Sequence, residues 1–79
     1  MKEKPITLTQ LPINKRGKII NLDGGQGFKK RLRVMGIKEG QIIRIVTKQP
    51  FRGPITITVF SCQMTLGRGM ANKITVEVI

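Results

Sequence analysis

Short segments rich in β-branched residues dominate the chain, and several of them alternate between apolar and polar positions. The clearest is residues 55–60, where Ile55, Ile57 and Val59 share one face and threonines occupy the other. Alternation or β-branched composition also marks further segments, and together with the first they predict five strands. The additional segments are residues 16–22, 41–47, 62–68 and 74–78.

A helical period occupies the gap between the first two of these strands. Phe28, Leu32 and Met35 fall at positions i, i+4 and i+7, which places them on one stripe of a helix. The following Gly36, with an apolar residue after it, is typical of a helix that ends in a left-handed glycine. We therefore expect one short helix over about residues 27–35. Its apolar stripe should be buried, and its basic residues should face solvent: Lys29, Lys30 and Arg33.

The size of the chain limits the architecture. Its 79 residues make one domain, so we expect residues 1–79 to form a single unit. A chain this short buries only part of its surface and needs an efficiently closed core. Closing the sheet also removes edges that would otherwise pair with other chains. The expected fold is mainly β, a small five-stranded barrel with one short helix inserted between strands one and two.

The residue inventory argues against an enzyme. Histidine, the usual side chain for proton transfer near neutral pH, is missing from the sequence. Cys62 is the only cysteine and has no histidine to activate it. We therefore expect no catalytic, cofactor-binding or metal-ligating residues, and a redox or metal response through Cys62 is only a minor hypothesis. The scattered carboxylates, with one thiol, make a poor metal site: Glu3, Asp23, Glu39 and Glu77.

The glycine-rich stretch "GGQG" at residues 24–27 does not match a nucleotide-binding loop. It has neither the G-x-G-x-x-G spacing of a dinucleotide site nor the G-x-x-x-x-G-K-[ST] spacing of a Walker loop. We interpret its glycines as those of a sharp turn from a strand into the helix.

The chain is strongly basic. Fifteen Lys and Arg residues against four Asp and Glu give a net charge of +11, which favours an acidic partner such as nucleic acid, anionic lipid or an acidic protein face. Small β-barrels that bind single-stranded nucleic acid also use aromatic stacking platforms, but this chain has no Trp and no Tyr. A sequence-tolerant nucleic-acid binder that uses the basic helix face therefore stays open as the alternative function.

Two further features concern location and contacts. The sequence shows no secretory signal and no run near the ~20 apolar residues of a membrane-spanning helix, so we expect a cytoplasmic protein without direct membrane insertion.

Residues 49–54, "QPFRGP", predict a loop between two strands. Phe51 beside Arg52 at its tip suits a protein–protein anchor, because aromatic and Arg side chains dominate interface hot spots. That Phe51 instead folds back onto the barrel is equally open.

The order of these features resembles the FeoA family, small cytosolic accessory proteins of bacterial ferrous-iron transport. The resemblance is carried by "LTQL" at residues 8–11, "GGQGFKKRLRVMGIKEG" at 24–40, "PFRGP" at 50–54 and "GRGMANKITVEV" at 67–78. It implies an SH3-like barrel without enzymatic activity of its own. It also implies a partner, the membrane ferrous-iron permease FeoB, which carries a cytosolic GTP-binding domain.

The sequence and the resemblance together give one functional hypothesis. The chain is expected to be a cytosolic adaptor that docks on the cytosolic face of a FeoB-like permease and modulates iron uptake through protein contact. The oligomeric state and the direction of regulation stay open. The expected contact residues lie on the basic helix face and at the loop tip: Lys29, Lys30, Arg33, Phe51 and Arg52.

Overall fold

A computed structural model describes residues 4–79, so Glu3, one of the four carboxylates, lies outside the described residues. The elements follow in the order β1, a 3-10 turn, β2, α1, β3, β4, β5, α2 and β6. Their bounds are Ile6–Thr7 for β1, Leu8–Gln10 for the 3-10 turn, Arg16–Leu22 for β2, Gln26–Val34 for α1, Ile42–Lys48 for β3, Ile55–Val59 for β4, Cys62–Leu66 for β5, Arg68–Ala71 for α2 and Ile74–Val78 for β6.

All strands belong to one antiparallel sheet in the order β1-β6-β2-β3-β4-β5. The register shifts between Ile19 and Asn21 in β2, and between Ile45 and Thr47 in β3. Irregularities of this kind bend a strand and increase its twist, so they curl the sheet around its apolar face. The buried apolar residues form one cluster inside the curl, and α1 contributes Leu32 to it.

The five predicted strands are present, but the count of five is wrong because the sheet has six. The missed strand, β1, has only two residues, which pair with Val76 and Thr75 of β6. The helix therefore lies between the second and third strands. The predicted strand over residues 62–68 ends at Leu66, and the expected turn after it contains the four-residue helix α2. Segments of two and four residues are too short to show a period.

Helix α1 ends as its sequence indicates. Gly36 has a φ of 93°, a left-handed conformation that glycine adopts without a Cβ clash. Its N–H donates to the Arg33 carbonyl at 3.0 Å, and the Ile37 N–H donates to the Leu32 carbonyl at 2.8 Å. These two hydrogen bonds are those of a Schellman motif. Ile37 is fully buried, so the chain leaves the helix directly into the core.

Candidate functional site

The predicted loop between β3 and β4 is a tight hairpin turn over residues 50–53. The Gly53 N–H donates to the Pro50 carbonyl at 3.1 Å, and below it the Gln49 N–H donates to the Pro54 carbonyl at 3.0 Å. The two central residues have positive φ, 57° at Phe51 and 60° at Arg52. A four-residue turn with positive φ at both central positions is of type I′, the type whose twist matches the flanking strands.

Phe51 and Arg52 are unusual occupants of this turn. Type I′ turns strongly favour Asn and Gly at these positions, because other residues pay a steric cost with φ in the left-handed region. Phe51 is nevertheless 98% exposed, so no packing within the described chain offsets that cost. The equally open prediction that Phe51 folds back onto the barrel is therefore wrong. An exposed aromatic on strained backbone is typical of a binding site.

Two cations lie at the base of the turn, and one of them, Arg68, holds it by hydrogen bonds. Arg68, at the start of α2, donates from Nε to the Gly53 carbonyl at 3.2 Å and from Nη2 to the Gln49 carbonyl at 3.1 Å. Lys48, the last residue of β3, donates from Nζ to the Thr9 carbonyl at 2.9 Å. Burial of Lys48, followed by the nearby positive charge of Arg68, lowers the pKa of its ammonium below the ordinary 10.5. The base of the turn is therefore crowded with positive charge.

The lowered pKa of Lys48, which is due first to burial and then to Arg68, predicts a pH dependence. Because the pKa of Lys48 is lower in the folded chain, the unfolded chain binds more protons between the folded and unfolded values, and the free energy of unfolding rises with pH through that window. We expect Lys48→Met to reduce this alkaline rise below pH 10.5, as measured by urea unfolding at several pH values. The control is Lys30→Met, which removes the same charge at an exposed position. Equal slopes in the two variants would contradict the prediction.

Two of the three basic residues that were predicted to face solvent on α1 are exposed. Lys30 and Arg33 are exposed and line a shallow depression of about 500 Å³ along α1, but Lys29 is half-buried, which corrects the prediction that it faces solvent. Lys29 lies three residues before Leu32, so it borders the buried stripe instead of opposing it. Leu32 is fully buried, as predicted. The other stripe residues, Phe28 and Met35, are half-buried and pack against the core.

The helix face and the turn do not form one continuous cluster. The chain enters β3 from α1 and leaves it at the turn, and a strand of seven residues spans about 20 Å. None of the side-chain hydrogen bonds within residues 4–79 joins α1 to the turn. The two parts of the predicted surface are therefore separate features.

The acidic and thiol side chains of residues 4–79 are three carboxylates and Cys62. In residues 4–79, no three His, Cys, Asp or Glu side chains come together as a group that could hold a metal ion. Cys62 is a free thiol at an exposed position at the start of β5. None of the helices in this part of the chain is long and apolar enough to cross a membrane. The candidate site consists of exposed side chains, Phe51 and Arg52 in the turn and Lys30 and Arg33 on α1.

Sequence reasoning missed the residues that shape the turn. Arg68 was assigned to the end of a strand, and no period or motif connects it with Gly53, fifteen residues earlier. The motif "PFRGP" does contain this glycine, and the structure shows why the turn needs it. A Cβ at Gly53 would lie 2.6 Å from the Gln49 Cβ, so only glycine allows the chain to close here.

Two known proteins of Fe(2+) transport are similar to this chain in sequence. A fusion protein of Fe(2+) transport protein A and the Fe(2+) transporter FeoB from Porphyromonas gingivalis is 32% identical over 72 residues, covering 91% of this chain and 8% of that protein. A putative Fe(2+) transport protein A from Methanocaldococcus jannaschii is 38% identical over 56 residues, covering 71% of this chain and 66% of that protein. The chain thus spans less than two thirds of either relative.

A solved structure of a FeoA protein has the same fold as this chain. The crystal structure of an iron uptake regulatory protein (FeoA) matches with a TM-score of 0.88 and 26% identity, covering 96% of this chain and all of that one. The agreement confirms the SH3-like class of small β-barrel that the resemblance implied. The model of the FeoA domain matches residues 6–78, nearly the entire described chain. This chain therefore belongs to the FeoA domain family.

Proposed function

We propose that this chain is a non-enzymatic accessory protein of ferrous-iron uptake that docks on a FeoB-like permease at its cytosolic face. The observation that carries the proposal is the P. gingivalis relative, in which a homologous FeoA segment and the FeoB transporter are parts of one polypeptide. Fusion of two chains fixes a high effective concentration of one for the other. A separate FeoA domain would need a contact surface to achieve the same association.

The turn at Phe51 and Arg52 suits such a contact best. Aromatic and Arg residues carry most of the energy of protein interfaces, and they do so when they leave water on binding. Phe51 is fully available for that, and the hydrogen bonds from Arg68 hold the turn in place before binding. A preorganised anchor loses less conformational entropy on association than a flexible one.

The basic helix face is proposed as the second part of the contact. Lys30 and Arg33 lie beside Val34, which is 82% exposed, so the face combines positive charge with a small apolar area. Lys29 contributes less because it is half-buried. Exposed charges of this kind increase the association rate with an acidic partner more than they increase affinity.

The test measures binding of the chain to the cytosolic region of the permease and to a short single-stranded RNA, each at 50 and 200 mM salt. We expect permease binding to lose far less affinity than RNA binding across this range, because its apolar anchor is insensitive to screening. RNA binding that depends on about six phosphate contacts should lose ~10³-fold or more. Tight RNA binding at 200 mM salt, without permease binding, would favour the nucleic-acid function and limit the family likeness to the fold.

A further inference from the structure

A second exposed surface lies on the outer face of the sheet, at the opposite end of β4 from the Phe51 turn. It is a groove of about 670 Å³ across β2, β3 and β4, within the size range of ligand-binding pockets. Its lining combines three basic side chains with two exposed apolar ones, and Glu39 is the single acid: Arg16, Lys38, Arg44, Ile42 and Phe60.

Two arginines face each other across this groove. Arg16 of β2 is the direct cross-strand partner of Arg44 of β3, so the two side chains project from the same face of the sheet. Like charges directly opposite each other destabilise a sheet. The side-chain hydrogen bonds within residues 4–79 include no carboxylate, so they provide no neutralisation of this pair. A bound anion would turn the repulsion into two favourable contacts.

Thr58 continues the same row. It is the cross-strand partner of Arg44 on β4, and its Oγ1 is buried without a hydrogen-bond partner among the described residues. Buried polar atoms are nearly always hydrogen-bonded, so the Thr58 hydroxyl is a spare donor beside Arg44. A hydroxyl can donate a hydrogen bond to a carboxylate. The Thr58 hydroxyl and the arginine pair therefore favour the same kind of ligand group, a carboxylate.

The end of the groove is apolar. Phe60 is 79% exposed and has a φ of 57° at the first central position of the two-residue turn between Val59 and Cys62. Ile42, 46% exposed, lines the same groove. Phe60 therefore resembles Phe51, since each is an exposed aromatic residue with left-handed backbone. At Phe60 an exposed aliphatic side chain lies in the same groove.

We propose that this groove binds an extended acidic segment of a partner protein, with carboxylates at the arginine pair and an aliphatic side chain between Ile42 and Phe60. Binding displaces the side chains that cover Thr58, and its hydroxyl then donates a hydrogen bond to one of those carboxylates. In an extended segment, alternate residues lie about 7 Å apart on one face, so neighbouring carboxylates reach both arginines. The proposal deepens the docking function by giving the chemistry of a second contact, and it rests on that function for the identity of the partner.

Other occupants fit the groove less well. Single-stranded nucleic acid needs aromatic platforms for successive bases, whereas the groove holds one aromatic ring. A second copy of the chain would bring another net charge of +11 against a basic surface. An acidic peptide complements the charge and also uses the aliphatic corner.

The test is fluorescence anisotropy with a labelled heptapeptide in which glutamates flank two leucines. The first variant is Arg16→Gln combined with Arg44→Gln, and the second is Phe60→Ala. The matched control, Lys4→Gln with Arg31→Gln, removes the same charge at exposed positions outside the groove. The second readout is the melting temperature. Probe controls are a peptide with serine for leucine and an oligothymidylate of the same length.

We expect the arginine variant and Phe60→Ala to weaken peptide binding by about tenfold each, and the charge control to change it within about twofold. The arginine variant should also melt at a higher temperature, since it removes a repulsive pair. Equal losses in the arginine variant and the charge control, equal binding of the serine peptide, or tighter binding of the oligothymidylate would each overturn the proposal. The assay contains no permease, so its failure leaves docking through Phe51 untouched.

Discussion

Replacing Leu32 by alanine is expected to leave much of the chain unfolded near 37 °C. Leu32 is fully buried and is the residue by which α1 enters the core. Leu→Ala changes at such sites cost about 2–5 kcal/mol, through lost transfer free energy and the cavity left behind. A small domain has a total stability of only about 5 kcal/mol, so the change removes most of it. Urea unfolding followed by circular dichroism measures the effect.

The same helix provides the control. Val34 is 82% exposed, two residues after Leu32, and Val34→Ala should change the free energy of unfolding by no more than about 0.5 kcal/mol. Similar losses of stability in the two variants would contradict the prediction, because they would mean that the buried stripe is not what holds α1 in place. The comparison therefore tests the one feature of the helix that the apolar period predicted.

The sequence predicted those parts of the fold that repeat a period over five residues or more. The alternation over residues 55–60 and the helical spacing of Phe28 and Leu32 depend on local geometry, which the backbone imposes at every residue. Strand β1 and helix α2 could not be predicted this way, because segments of two and four residues are too short to show a period. Strand β1 is held by β6, about seventy residues away.

The sequence names candidate contact residues, whose binding role stays a prediction, but it does not predict their geometry. Residue type and loop position singled out Phe51 and Arg52, since an aromatic beside an Arg at the tip of a predicted turn suits an interface anchor. Their left-handed conformation, and the hydrogen bonds of Arg68 that hold it, depend on tertiary contacts. The groove at Phe60 was missed because its arginine pair is defined by strand register, which hydrophobic alternation alone did not reveal.

Phe51→Gly is expected to stabilise the fold while it weakens docking. Left-handed φ costs an L-residue about 1–2 kcal/mol, and glycine avoids that cost but has more entropy in the unfolded chain, so we expect a net gain of up to about 1 kcal/mol. For a domain of this size, 1 kcal/mol corresponds to a rise in melting temperature of roughly 4–8 °C. Loss of the exposed ring should weaken permease binding by about thirtyfold, the scale of an interface hot spot.

Phe51→Ala separates these two effects. Alanine lacks the ring but keeps a Cβ at a φ of 57°, so it should lose binding to the same extent without the gain in stability. Ile13→Ala, at a position 49% exposed, removes apolar surface elsewhere and should leave binding within about twofold. A stabilised Phe51→Gly variant that still bound the permease would mean that the strain does not serve docking. A residue that costs stability, packs against nothing in the described chain and points into solvent is best explained by a partner that covers it.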